Sequence, residues 1–317
     1  MPYTQVANLD FDNIKASLKE YLRSQKDFTD YDFEGSALAN LIDTLAYNTY
    51  YTAFNTNMVV NEMFIDSATL RDNVVALAKQ LGYRPKSATS PTAYVSFTVT
   101  YTNPTTDKEL SLKAGTGFIS TFDNVIYSYV VTSNVKAQVI NDVATFSNVP
   151  IREGTFLNNE FVVDNGSKSQ RFILDNPNID TNTISVTVYP GGGSFNEPYL
   201  VADNILDVDG DSKVFFVEET EDQRYEILIG DGVLGKKLEN NTRIDVSYLT
   251  TQGPVSNGVR AFVFSGVLEN ENGVTPNSFT TSIVSTVASA GGEEIESTQK
   301  IKYTAPKAYG TQERAVT

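Results

Sequence analysis

Apolar residues recur at three- and four-residue spacing over the first 85 positions and at two-residue spacing from about residue 93, dividing the chain into a helical and a strand-forming part. Phe11, Ile14, Leu18, Tyr21 and Leu22 share one side of a helix that opens behind Asp10, whose side chain suits a helix cap. The mostly polar stretch from Gln25 to Asp32 breaks this pattern, and Gly35-Ser36 opens a second, longer helix. That helix carries an aliphatic stripe, Leu38, Leu41, Ile42 and Leu45, and then an aromatic stripe, Tyr47, Tyr50, Tyr51 and Phe54, followed by Met58. At about 100° per residue the two stripes fall on opposite sides of the helix. Such a helix is either sandwiched within its own domain or shared with another chain. A third helix starts near Ser67, with Leu70, Val74, Leu77, Ala78 and Leu81 on one side, Gly82 to end it and Pro85 to prevent continuation.

Beyond Ala93, Val95, Phe97, Val99 and Tyr101 alternate with Ser96, Thr98 and Thr100, the pattern of a half-buried strand. The runs 135–140 and 143–147 flank Asn141-Asp142, which reads as a tight hairpin. Further strands are predicted over 183–189, 214–217, 225–229 and 243–249, separated by Gly- and Asn-rich turns. The fold class is therefore α+β: an α-helical module over residues 1–85, then a mainly antiparallel β-rich domain over 86–265. Residues 266–317 read as a linker or the start of a further domain.

Charge changes the picture of the partners. There are 24 Lys+Arg and 39 Asp+Glu, a formal net charge of −15, and residues 1–90 hold only 8 of the basic and 11 of the acidic residues. The β-rich part is thus strongly acidic and repels phosphate backbones, so nucleic acid is not expected as a partner. No stretch is apolar enough for a membrane span, and the amino terminus lacks the pattern of a signal peptide, so assembly in the cytoplasm is expected.

Catalytic chemistry is poorly provisioned. With no His and no Cys, Ser-His-Asp and Cys-His arrangements, disulfides and most zinc sites are excluded. Carboxylates such as Glu218, Glu219, Glu221 and Glu226 are numerous, but none stands in a frame that marks an acid/base pair. Gly230-Asp231-Gly232-Val233-Leu234-Gly235 is a literal G-x-G-x-x-G, yet no helix is predicted after it to hold a pyrophosphate, so these residues read as a loop shaped by glycine. Asp207-Val208-Asp209-Gly210-Asp211, with Glu218, hints at a calcium loop, but its glycine stands at the fourth position where an EF-hand needs the sixth. No enzyme activity, cofactor or metal is expected. The aromatic stripe reads instead as an interface, because the aliphatic stripe is taken to supply the core face and Tyr is enriched where chains meet.

Several runs carry a resemblance. Tyr31-Asp32-Phe33-Glu34-Gly35-Ser36, Leu41-Ile42-Asp43 through Leu45-Ala46-Tyr47-Asn48-Thr49, Asn61-Glu62-Met63-Phe64 and Ala78 to Pro85 resemble the amino-terminal region of baseplate wedge proteins of contractile-tailed phages. Tyr225-Glu226-Ile227 leading into Gly230 to Gly235, then Tyr248 to Gly253 and Asn257-Gly258, is similar to the baseplate J-like family signature. Ala305-Pro306 with Gln312 and Arg314 to Thr317 is similar to that family's junction into its next domain. The resemblance implies a structural protein of the virion tail baseplate. It would homodimerise, join other wedge proteins through a helical bundle, and close with neighbouring wedges into a ring around the tail tube. The interface residues would be Leu38, Leu41, Ile42, Leu45, Tyr47, Tyr50, Tyr51, Phe54 and Met58, and Gly230, Asp231, Gly232 and Gly235 would form a structural loop. The alternative reading is a receptor- or polysaccharide-binding tail protein, also commonly acidic and β-rich but usually built from repeats, which this chain lacks.

Overall fold

The computed structural model describes residues 7, 10–25, 36–166, 170–202 and 208–311, with residues 309–311 described by backbone alone. The chain divides into two compact units, one of residues Met1–Arg84 with Ser297–Thr317 and the other of Pro85–Glu296. The α+β class predicted from the periodicity is the class observed, with helices first and antiparallel sheets after them.

The helical unit holds α1 (Phe11–Ser24), α2 (Ala37–Glu62), α3 (Arg71–Gln80) and α4 (Thr298–Thr311). Asp10 caps α1 by accepting from the Asn13 amide at 3.1 Å, and Ser36 caps α2 by accepting from the Ala39 amide at 2.9 Å. The Gly35 half of the predicted α2 start lies outside the described residues. At the end of α3, Gly82 turns left-handed (φ +74°); its amide donates to the Lys79 carbonyl and that of Tyr83 to the Ala78 carbonyl, which closes the helix. The N-terminus of α3 has no local side-chain cap. Glu62, at the end of α2, supplies one from a distance: its carboxylate accepts from the Thr69 amide and hydroxyl, the Leu70 amide and the Asn73 side-chain amide. Desolvation raises the pKa of this carboxyl, but these hydrogen bonds outweigh it and hold the group at about 2. Ala68, Val74, Val75 and Ala78 then pack with Ile301 and Ala305 of α4 into one small core.

The β-rich unit has two sheets. The first contains β1 (Thr92–Tyr101), β2 (Glu109–Leu112), β3 (Gly117–Phe122), β4 (Val125–Val130), β5 (Val135–Ile140), β6 (Val143–Glu153), β14 (Val263–Phe264), β15 (Glu269–Asn270) and β16 (Phe279–Ala290). The second runs in the order β7 (Thr155–Val162), β13 (Arg243–Thr250), β9 (Ile179–Tyr189), β10 (Glu197–Val201), β11 (Val214–Glu219), β12 (Tyr225–Ile229) and β8 (Phe172–Leu174), antiparallel except between β10 and β11. The predicted alternation holds in β1, where Val95, Phe97 and Val99 are buried in the first core with Phe118, Tyr129 and Phe146. Asn141 and Asp142 both have positive φ and form the predicted hairpin between β5 and β6. The carboxy-terminal stretch, read from the sequence as a linker or the start of a further domain, contributes β15, β16 and α4; the strand FTTSIVSTVASA is rich in Thr and Ser, which masks its period of two.

The two sheets meet where β6 becomes β7. Only Gly154 separates these strands, at φ +133°, and a Cβ there would stand 2.1 Å from the Thr250 carbonyl oxygen. On one side of it, the Glu153 carboxylate accepts from the Thr251 hydroxyl at 2.6 Å and the Gln252 amide at 3.1 Å. Nearby, fully buried Asp180 of β9 accepts from the Ser90 amide and hydroxyl at 2.9 and 2.7 Å and lies 3.4 Å from Arg152 of β6.

Gly154→Ala is expected to destabilise the β-rich unit by more than about 3 kcal/mol. A fall in the denaturation midpoint measures it; an unchanged midpoint means the crossing relaxes freely. Glu62→Gln is expected to cost about 1 kcal/mol at neutral pH. A carboxyl whose pKa falls on folding stabilises above its unfolded value, near 4.5, and that contribution is lost as pH drops towards about 2. The melting difference between wild type and variant should therefore shrink through this window, and a pH-independent difference contradicts the assigned cause.

Candidate assembly interface

Helix α2 is 26 residues long and has no ionisable Asp, Glu, Lys or Arg from Thr44 to Asn61. Its buried positions are Ala39, Ile42, Ala46, Ala53, Asn57 and Asn61, a seam of mostly small residues. Helix α1 packs against α2, and its own apolar residues Phe11, Ile14, Leu18 and Leu22 are only half-buried. Small side chains let a neighbouring backbone approach closely; the branched leucines are displaced to the flanks. The buried asparagines are satisfied: Asn57 exchanges hydrogen bonds with the backbone of Ala7 at 2.9 and 3.0 Å, and Asn61 donates to the Asn57 carbonyl at 2.7 Å.

The aliphatic stripe therefore does not form the core face expected of it. Of its four residues only Ile42 is buried and Leu38 half-buried, whereas Leu41 and Leu45 face solvent. Leu41, Leu45, Tyr47, Tyr51, Phe54 and Met58 are each 42–57% exposed, and Tyr50 is half-buried. Exposed apolar side chains continue past the stripe at Val59, Met63 and Phe64. The rings order one another: Tyr47 and Tyr51 lie 4.8 Å apart, and Tyr50 meets Tyr51 edge-on at 6.3 Å. Thr44, Thr49, Thr52 and Thr56 each donate the hydroxyl to a carbonyl one turn back, at 2.8–2.9 Å. Covering these threonines costs no hydrogen bond, so the face is less polar than its sequence suggests. The signal for this orientation was present as alanines at 39, 46 and 53, a seven-residue spacing that marks the buried seam.

The other sequence candidates lie in the second sheet. Gly232 and Gly235 have positive φ, and a Cβ on Gly230 would stand 2.1 Å from the Gly235 carbonyl carbon. Asp231 accepts from the Val233 and Leu234 amides at 2.8 and 3.0 Å. The loop stacks on residues 209–212: the Gly235 amide donates to the Asp209 carbonyl and the Lys236 amide to that of Ser212. No helix follows before β13, so the motif lacks the helix end that a pyrophosphate requires. Asp207 of the calcium-like run lies outside the described residues. The Asp209 carboxyl is held below its usual range by the Ser212 hydroxyl, then the Asp211 amide, and so serves its own turn. Glu226 receives two prongs from Arg171, at 3.1 and 2.7 Å. Among the described residues, no group of three or more acidic side chains is arranged to hold a metal, and no helix is long and apolar enough to cross a membrane.

Residues 10–83, which contain α1, α2 and α3, match the family model of the baseplate wedge protein gp6-like helical domain. These residues are similar to the gp6-like helical domain. The whole chain resembles phage baseplate wedge proteins: it is 28% identical over 325 residues to baseplate wedge protein gp6 of Enterobacteria phage T4, covering 97% of this chain and 48% of that protein. The chain thus spans about half the length of this curated relative. A chain in the cryo-EM structure of the anti-feeding prophage baseplate aligns with 96% of this chain and 53% of its own length, at 13% identity and a TM-score of 0.29.

Because the flanks of α2 are exposed, Phe54→Ser is expected to change the stability of the free chain by no more than about 0.5 kcal/mol. Ile42→Ala, in the seam, should cost about 3 kcal/mol. Equal losses in thermal melts of the two variants contradict this assignment of faces.

Proposed function

We propose that the chain is a structural component of a phage tail baseplate wedge, without enzyme activity and without a cofactor. Its gp6-like helical domain docks other wedge proteins through the exposed flanks of α2. It also pairs with a second copy, and neighbouring wedges close into a ring around the tail tube at the virion tail baseplate, assembled in the host cytoplasm. The observation that carries this reading is the uncharged, apolar face of α2 within a domain matched to wedge proteins, on a chain of net charge −15. A contiguous exposed apolar patch marks a protein contact. Burying the half of each side chain that the free chain leaves open contributes roughly 1 kcal/mol, so Tyr47, Tyr51 and Phe54 together with Leu41, Leu45 and Met58 offset part of an association cost of about 4–15 kcal/mol. Rings already ordered against each other, and hydroxyls already bonded, lower that cost.

Tyr51→Ser with Phe54→Ser is expected to weaken the complex with co-expressed neighbouring tail proteins about a hundredfold, measured by sedimentation velocity. Undiminished assembly by this folded variant overturns the docking role of α2. Hydrolysis of a polysaccharide by the wild-type chain overturns the purely structural reading.

A further inference from the structure

The edges of the two sheets are not alike. Strands β14 and β15 are two residues long and β8 three, while β7 carries Glu160 opposite Asp245. β16 is 12 residues long, holds no ionisable side chain and no proline, and among the described residues pairs as a strand only with β1. An edge of that length leaves a row of unpaired amides and carbonyls, which proteins ordinarily blunt by charge, proline or brevity. Part of it is managed here. Register shifts bend β16 near Ser285 and again towards Ala290, and at that end the Ser289 amide and carbonyl bond Val259 and Gly258 at 2.9 and 2.8 Å. The run Phe279–Ile283, opposite Tyr101–Phe97 of β1, is regular, and among the described residues no strand pairs with its other side.

We propose that this run of β16 pairs antiparallel with the same run of a second copy, joining two of the nine-stranded sheets across a two-fold axis. The unpaired edge of a strand is complementary to another strand edge, and an antiparallel pair of identical edges closes on itself, whereas β16 against a different edge leaves one edge of each copy open unless the rotation completes a ring. Charge selects the same contact. Two copies at −15 repel over most of their surface, and β16 is a long edge where no like charges come face to face. Thr280 and Ser282, exposed beside the seam, form favourable cross-strand pairs with their own kind. The inference rests on the wedge reading only for the premise that copies of the chain meet.

The test is sedimentation velocity of the full chain over a range of concentrations, with Thr280→Glu/Ser282→Glu as the variant. These exposed positions should tolerate Glu without a change in melting temperature, while facing acids across the two-fold weaken the dimer at least tenfold. Amide exchange of 279–283 should quicken on dilution of the wild type. A wild type that is monomeric at every concentration, or a variant dimer as tight as the wild type, overturns the proposal. So does a dimer dissolved by Phe54→Ser but not by the strand variant, which would move self-contact to α2. A strand-dependent dimer that ignores the neighbouring tail proteins supports the pairing and sinks the wedge reading instead.

Discussion

The β-rich unit depends on one passage of chain: the step from β6 in the first sheet to β7 in the second, made through a residue that has no room for a side chain. At Gly154 the backbone runs so close to the Thr250 carbonyl that a single added carbon has nowhere to go. Around that point the anchoring groups are polar and buried. Glu153 holds the segment after β13, and Asp180 ties β9 to the residues that lead into β1. Each sheet has its own apolar core. What sets the two sheets in register is therefore a local steric demand with a few directed hydrogen bonds, while apolar burial stabilises each sheet separately.

The helical unit is organised on the opposite principle. Its longest helix spends its buried face on alanines and asparagines and leaves leucines and rings outside. Hydrophobic burial within the unit is correspondingly modest, and α1 has no fully buried residue. Order comes instead from capping and from paired amides: Asp10, Ser36, Glu62 and Asn57 each fix a segment end or a crossing through a specific hydrogen bond. A unit built this way keeps its large apolar side chains available to others.

Much of the fold is legible in the sequence where a signal is local. The caps at Asp10 and Ser36, the stop at Gly82, the alternation of β1 and the hairpin at Asn141-Asp142 all follow from a few adjacent residues. Elements whose cause is distant or disguised are not legible. The hairpin of β3 and β4 turns on Asp123 and Asn124, both at positive φ, without the glycine that usually marks such a turn. β16 hides its alternation among threonines and serines, and Glu62 caps a helix that begins nine residues later. For the candidate site, the pattern on α2 showed two apolar flanks, but large residues outweighed small ones in choosing the inward face. Alanine contributes little hydrophobicity, so a seam selected for close approach is faint in any apolar count.

The stretch Thr44–Asn61 has a further physical consequence, which concerns salt. Copies and acidic neighbours of a chain at −15 repel one another at long range, over a Debye length of about 8 Å at physiological ionic strength. A contact face with no ionised side chain takes no part in that field. Added salt then relaxes the repulsion that slows encounter but leaves the short-range attraction untouched. For a face of this kind, long-range repulsion governs how often chains meet, and short-range packing governs how long a contact lasts.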